Sequence, residues 1–378
     1  FLGILAAIVP LLIFPYYCVI GGWVSKYSLD FLIGSGMQTV ADGYFTGFIT
    51  SFWPPIVWMG IFMGITALIV VFGVEKGIEK FSKILMPALV FIVIGIAIFA
   101  LTLSDAESGR SAIDGLKIYV LPDFTGMTVG KFFNVLLDAM GQIFFSMSIA
   151  MGIMITYGSY AKSDTDLVKS VNHIEIFDTG VAILAGLIMI PTVYTFQGSE
   201  GLNAAGPGLL FVSMPKIFAE MGFIGHIVGV LFFVLVLFAA LTSSISILEA
   251  VVSMIMDKFG FSRKKSIVIA LVISVILALV TCFGYNIWYF EYTLPNGAVA
   301  QILDIMDYIS NNCLMPLVAI GTCILIGWVL KPGTVIEEVE KSGCKFGRKK
   351  LYIVMLKFVA PALLLILLLK SLGIVTFI

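Results

Sequence analysis

The 378 residues are 60% hydrophobic and 12% charged, whereas a soluble domain runs about 45–50% apolar and about 25% charged. A net charge of −1 gives no basic footprint for DNA or RNA, and a mean hydropathy of +1.10 excludes both an ordinary soluble enzyme and a disordered chain. What remains is a polytopic α-helical membrane protein.

Nine stretches are long and apolar enough to cross about 30 Å of hydrocarbon. They are residues 1–25, 53–74, 84–104, 132–157, 174–197, 227–256, 266–288, 299–330 and 351–375. The first begins at Phe1, inside an apolar run, with neither Met nor a basic n-region. No signal peptide is predicted there, and a native N-terminal part is expected to precede it. One set of loops holds 15 basic residues, from Lys76 to Lys350, and the opposite set holds Lys26, Arg110, Lys117, Lys131 and Lys216. The positive-inside rule assigns the richer set to the cytoplasm. Segment 198–225 is too polar at its start to span, but carries an amphipathic piece around Phe211–Met221. A loop of that length with its own apolar face is predicted to be a lid. The five cysteines (Cys18, Cys282, Cys313, Cys323, Cys344) have no framework spacing. Four lie in or beside apolar runs, where packing as small hydrophobes is the default.

Enzymatic constellations are missing. There are two histidines, His173 and His226, and no HExxH, CxxC pair, GxxxxGK[ST] or GxSxG. Polar residues inside apolar spans are therefore the functional candidates, because they are expensive there. In the fourth span, Gly141–Gly152 reads GQIFFSMSIAMG. Ser146 and Ser148 beside glycines allow a broken helix whose exposed carbonyls suit a hard cation. The competing reading is helix packing by small residues. In the sixth span, Ala239, Thr242, Ser243 and Ser246 share one helix face. Either they build a monovalent cation site, or their hydroxyls bond their own i−4 carbonyls. Asp178 lies inside the fifth span, where a carboxylate costs roughly 2.5–3.5 kcal/mol, and a bound cation is the expected partner. Asp304 and Asp307 sit one turn apart at the outer end of the eighth span. Tyr16 and Tyr17 lie deep in the first span, where a buried hydroxyl needs a partner.

FPYYCVIGGW, GVEKGIEKFSKILMP, GQIFFSMS, ITYGSYAK, ALTSSISI and LDIMDY, in that order, resemble the neurotransmitter:sodium symporter family, its bacterial LeuT-like amino-acid transporters in particular. The resemblance implies an all-α, polytopic LeuT-type inverted-repeat fold and a single transporter domain over 1–378. The nine spans would be the family's third to eleventh helices, without the first and second. Residues 1–104 would be the remainder of the first repeat, 132–330 the second repeat and 351–375 an additional helix.

By the same resemblance, Tyr17 would meet a substrate carboxylate and Phe145 would lie over the substrate as a lid. Ile13, Ser146, Ser148, Met151, Ser243 and Ile247 would complete the pocket. Two Na+ sites are implied. Ser146 and Asp178 would serve the one beside the substrate, and Ala239, Thr242 and Ser243 the other. Gln142 and Asp307 resemble outer-gate residues, and Tyr160 and Asp257 inner-gate residues. Gly77 and Pro87 resemble a motif tied to unwinding of the fifth helix. Asp178 stands where many relatives carry a sodium-ligating Asn, so its fixed charge would replace a chloride ion. The implied function is sodium-coupled symport of a neutral, hydrophobic amino acid, independent of chloride, with no organic cofactor and no nucleic-acid partner. The alternatives are a sodium-coupled carrier of an amine or other small zwitterion, and a passive channel or receptor of similar helix count.

Overall fold

In hydrocarbon every backbone N–H and C=O must be satisfied within its own segment, so apolar stretches of this length fold as helices. The computed structural model describes residues 2–375 except 107, 163, 204–205, 342 and 344, and describes no side chain at 75 or 76. Cys344 and the Lys76 side chain thus lie outside the described residues. Ten helices carry the architecture: α1 (Leu2–Leu32), α2 (Trp53–Val71), α3 (Gly77–Ala100), α4 (Val129–Ser146), α5 (Ile153–Tyr160), α6 (Leu167–Gly201), α7 (Gly222–Phe259), α8 (Arg263–Phe283), α9 (Ile302–Val329) and α10 (Lys349–Ser371).

Among the described residues, 8 of these helices are long and apolar enough to cross a membrane, not nine. The stretch expected to be the fourth span, 132–157, is two half-helices, α4 and α5. The physical reason is local. Ser148 (φ 54°), Ala150 (φ 63°) and Gly152 (φ 76°) all adopt left-handed backbone conformations, which an α-helix cannot pass through. The freed amides of Met147, Ser148 and Ile149 turn back to the carbonyls of Ile143, Phe145 and Phe144 at 3.0–3.1 Å. Two non-glycine residues at positive φ store strain at this break.

Helix ends also shift from their predicted places. The helix α6 starts at Leu167 rather than near 174, because the Asp166 side chain accepts the Lys169 N–H at 2.9 Å and caps it. The helix α3 begins with a wide π-type turn over Val74–Glu79, before the predicted 84. There a Cβ on Gly77 would collide with the Ile69 carbonyl.

The core is built around α1 and α7. The helix α1 packs against α7, α2 and α8, burying Val9, Ile13, Phe14 and Phe31 completely. Close approach of α1 to α2 depends on Gly22, whose missing side chain leaves room for the Met59 backbone. Buried hydroxyls find partners across helices: Thr66 and Ser244 share a bond of 2.8 Å, and Ser28 donates to the Phe233 carbonyl at 2.9 Å. Cys18, Cys282 and Cys323 are buried free thiols, and Cys313 is half-buried.

On the side carrying the long loops, the chain from 206 to 220 forms short helices that bury Phe211, Met214, Ile217 and Phe218. Phe211 stacks on Phe45 (5.0 Å, 12°) and meets Trp23 and Tyr27 edge-on or tilted. Lys216 pairs with Asp42 at 2.7 Å, and holds its carboxyl below the usual range. At the end of α6 the backbone turns sharply at Gly198 (φ 68°, ψ −161°). Arg110 occupies the space beside that glycine, donating to the carbonyls of Thr195 (3.2 Å) and Phe196 (3.1 Å), where a helix C-terminus favours a cation.

Candidate ion and substrate site

The break between α4 and α5 opens onto a cavity of about 680 Å³. Its lining includes Ile13 and Tyr17 from α1, Phe145 and Ser146 from the end of α4, and Ser148 and Met151 from the broken stretch. Asp178 of α6 and Thr242, Ser243 and Ile247 of α7 complete it. The structure thus brings together all eight residues predicted to contact substrate, and α1, α4, α6 and α7 all contribute side-chain oxygen atoms. Ser146 Oγ donates to Asp178 Oδ2 at 3.1 Å, joining the end of α4 to α6 across the cavity wall. Ser243 and the half-buried Tyr17 line the same cavity.

The hydroxyl stripe of α7 behaves as a helix surface first. Thr242 Oγ1 donates to the carbonyls of Phe238 (3.1 Å) and Ala239 (3.0 Å), and Ser246 donates to the Thr242 carbonyl at 3.2 Å. A hydroxyl whose proton is engaged this way still presents oxygen lone pairs outward. Local bonding and ion coordination are therefore compatible at Thr242. Ala239, predicted as an ion ligand, is not among the residues lining the cavity; its carbonyl accepts from Thr242 Oγ1. The lining also includes the buried apolar side chains of Ile13, Met151, Ile153 and Ile247, and Glu79, which pairs with Lys83.

Gln142 and Asp307 line a second cavity, of about 710 Å³, on the far side of Phe145. Phe145 lines both, so its ring stands between the outer space and the central one. Asp307 accepts from Tyr16 Oη at 3.0 Å and from Asn311 Nδ2 at 2.5 Å, which gives Tyr16 the partner its burial demands.

Tyr160 and Asp257 are not joined. Asp257 is exposed at the end of α7, while the Tyr160 hydroxyl donates to Glu249 Oε1 at 2.8 Å. Glu249 is fully buried and pairs with Arg263 (2.5 and 2.9 Å). The same guanidinium caps the Val70 carbonyl of α2 at 2.7 and 3.1 Å. The sequence reading missed this cluster. Its signal was available: Glu249 is a carboxylate inside a span and earns the same attention as Asp178. The Tyr157–Ser246 bond (2.8 Å), which ties α5 to α7, was missed as well, since no pattern within either helix points to the other.

Comparison with known proteins agrees with this geometry. The model of the sodium:neurotransmitter symporter family matches residues 53–377. An uncharacterized sodium-dependent transporter of Methanocaldococcus jannaschii is 32% identical over 355 residues, 90% of this chain and 68% of its own length. One of Haemophilus influenzae is 32% identical over 373 residues, 95% of this chain and 76% of its own. The crystal structure of MhsT in complex with L-phenylalanine superposes with a TM-score of 0.84 at 34% identity, covering 98% of this chain and 80% of that one. The fold is therefore the LeuT-type fold of an integral membrane transporter rather than an enzyme. On these grounds the chain belongs to the sodium:neurotransmitter symporter family.

Proposed function

We propose that this protein carries a neutral, hydrophobic amino acid inward with sodium, by alternating access about the break between α4 and α5, without needing chloride. The observation that supports this most is the meeting of Ser146 and Asp178 at 3.1 Å on a cavity that also holds Tyr17, Thr242 and Ser243. One sodium ion would lie among the Ser146 hydroxyl, the Asp178 carboxylate and the substrate carboxylate. A second would lie against Thr242, Ser243 and the Ala239 carbonyl. Oxygen donors of this kind suit a hard cation. Each charge moved across 100 mV contributes about 2.3 kcal/mol toward accumulation.

Tyr17 would hold the substrate carboxylate, and Phe145 would close over it. Ile13, Met151 and Ile247 would take the body of the substrate, and Glu79, which also lines the cavity, is already paired with Lys83; this favours residues such as the L-phenylalanine held by MhsT. Gln142 and Asp307 would guard the outer side of Phe145. On the inner side Tyr160 would be held by Glu249, and exposed Asp257 would be free to pair with a basic group elsewhere in the protein.

The test is the double substitution Thr242→Ala with Ser243→Ala in the full-length protein. Sodium-dependent binding of radiolabelled phenylalanine is expected to fall at least about tenfold, since two charge-assisted oxygen contacts of about 1.5 kcal/mol or more are lost. Unchanged sodium dependence would overturn the assignment of the second ion site.

A further inference from the structure

Besides Lys349 and Lys350 at its start, the last membrane span, α10, holds two lysines, where an unpaired charge is expensive. Lys370, near its end, pairs with Asp138 of α4 at 2.7 Å. The other, Lys357, has no carboxylate partner among the described residues. It sits about two turns into α10, roughly 12 Å along the helix from its basic start. Its stem passes over Gly327 of α9, where a Cβ would come within 3.4 Å of Lys357 Cγ. Its ammonium rests 5.4 Å from the centre of the Trp328 ring. Both helices widen into π-type turns at this crossing, over Leu325–Val329 and Met355–Val359. The result is a shallow groove with one cation in its floor.

The surroundings are both apolar and basic. Beside Lys357, Trp328 and Phe358 meet edge-on at 5.7 Å and are 55% and 57% exposed, and Leu351 and Val329, at the loop ends of α10 and α9, are exposed as well. Toward the loop, Lys341 and Lys349 are neutralised by Glu338 and Glu340, but Lys345, Arg348 and Lys350 are exposed and in no ion pair among the described residues. A long aliphatic stem lets a lysine inside a span bring its ammonium to headgroup level. A surface that sets unpaired cations beside exposed aromatic rings complements a molecule that is anionic at one end and apolar along the rest.

We propose that the groove between α9 and α10, at the basic-loop end of the protein, is a binding site for an anionic phospholipid. The lipid phosphate is held by Lys357 and these exposed basic residues, and the acyl chains lie along Trp328 and Phe358. This assignment does not depend on what the central cavity carries. Basic pockets between membrane helices recognise lipid headgroups in this way.

The test is native mass spectrometry of the full-length protein, titrated with phosphatidylglycerol or with phosphatidylcholine of identical chains. Phosphatidylglycerol should be retained preferentially, and Lys357→Gln should reduce that preference about fivefold, the change expected for one basic group at an anionic surface. Lys357→Arg should keep it. Equal retention of the two lipids, an unchanged preference in Lys357→Gln, or its loss in Lys357→Arg would overturn the assignment. A second measurement does not alter Lys357. In vesicles, brominated phosphatidylglycerol should quench tryptophan fluorescence more than brominated phosphatidylcholine, and the excess should vanish in Trp328→Phe. No excess, or one that survives the substitution, would contradict the proposal.

Discussion

Replacing Asp178 with Asn should sharply reduce sodium-driven uptake in chloride-free medium, and adding chloride should return a measurable part of it. The substitution keeps the volume and an acceptor for the Ser146 hydroxyl, which now donates to Asp178 at 3.1 Å, and removes only the charge. A unit charge within about 4 Å of a cation contributes about 4 kcal/mol at an effective dielectric of 20. The sodium concentration giving half-maximal uptake should therefore rise at least about tenfold. A chloride ion entering beside the first sodium would return part of that attraction. Uptake assays with gluconate and chloride as alternative anions decide the matter. Chloride-dependent uptake by the wild type, or an Asn variant that matches it in gluconate, would show that the carboxylate does not replace the anion.

The second large effect is on stability. Arg263→Gln should destabilise the protein by about 3–5 kcal/mol, the cost of leaving a buried charge without its partner. Glu249 is fully buried, so the carboxylate would lose its bidentate partner and keep only the Tyr160 hydroxyl, and the Val70 carbonyl would lose its cap. Because the penalty comes from an uncompensated anion, adding Glu249→Gln to Arg263→Gln should recover part of it. Thermal unfolding of purified single and double variants in detergent tests both statements. An Arg263→Gln variant within about 1 kcal/mol of the wild type, or a double variant less stable than the single, would mean that the pair is not what holds α7, α8 and the end of α2 together.

Much of this was legible in the sequence because the bilayer leaves few options. Long apolar runs must be helices, and Ser and Gly side by side in such a run mark where a helix can break. The break fell inside the predicted stretch Gly141–Gly152. What remained open was whether it would break at all, since the same small residues serve close packing, and only the positive φ angles of Ser148 and Ala150 decide it. Asp178 stood out as an isolated charge, but its meeting with Ser146 is a contact between α4 and α6 that no periodicity within one helix encodes. Glu249 was overlooked for a related reason. Its partner Arg263 reads as a loop residue of the positive-inside set, and the turn between α7 and α8 folds it back onto the carboxylate. The Lys357 groove depends on Gly327 of a different helix, and was equally invisible in either segment alone.

The most direct test of sodium coupling at Ser146, Asp178, Thr242 and Ser243 is uptake of radiolabelled L-phenylalanine into proteoliposomes of the full-length protein. The vesicles carry an inward sodium gradient, with gluconate as the anion. Internal phenylalanine should rise above the external concentration, and should collapse to equilibrium when sodium is replaced by potassium or the gradient is dissipated. Uptake that never exceeds the external level, or that is the same in potassium as in sodium, would contradict it.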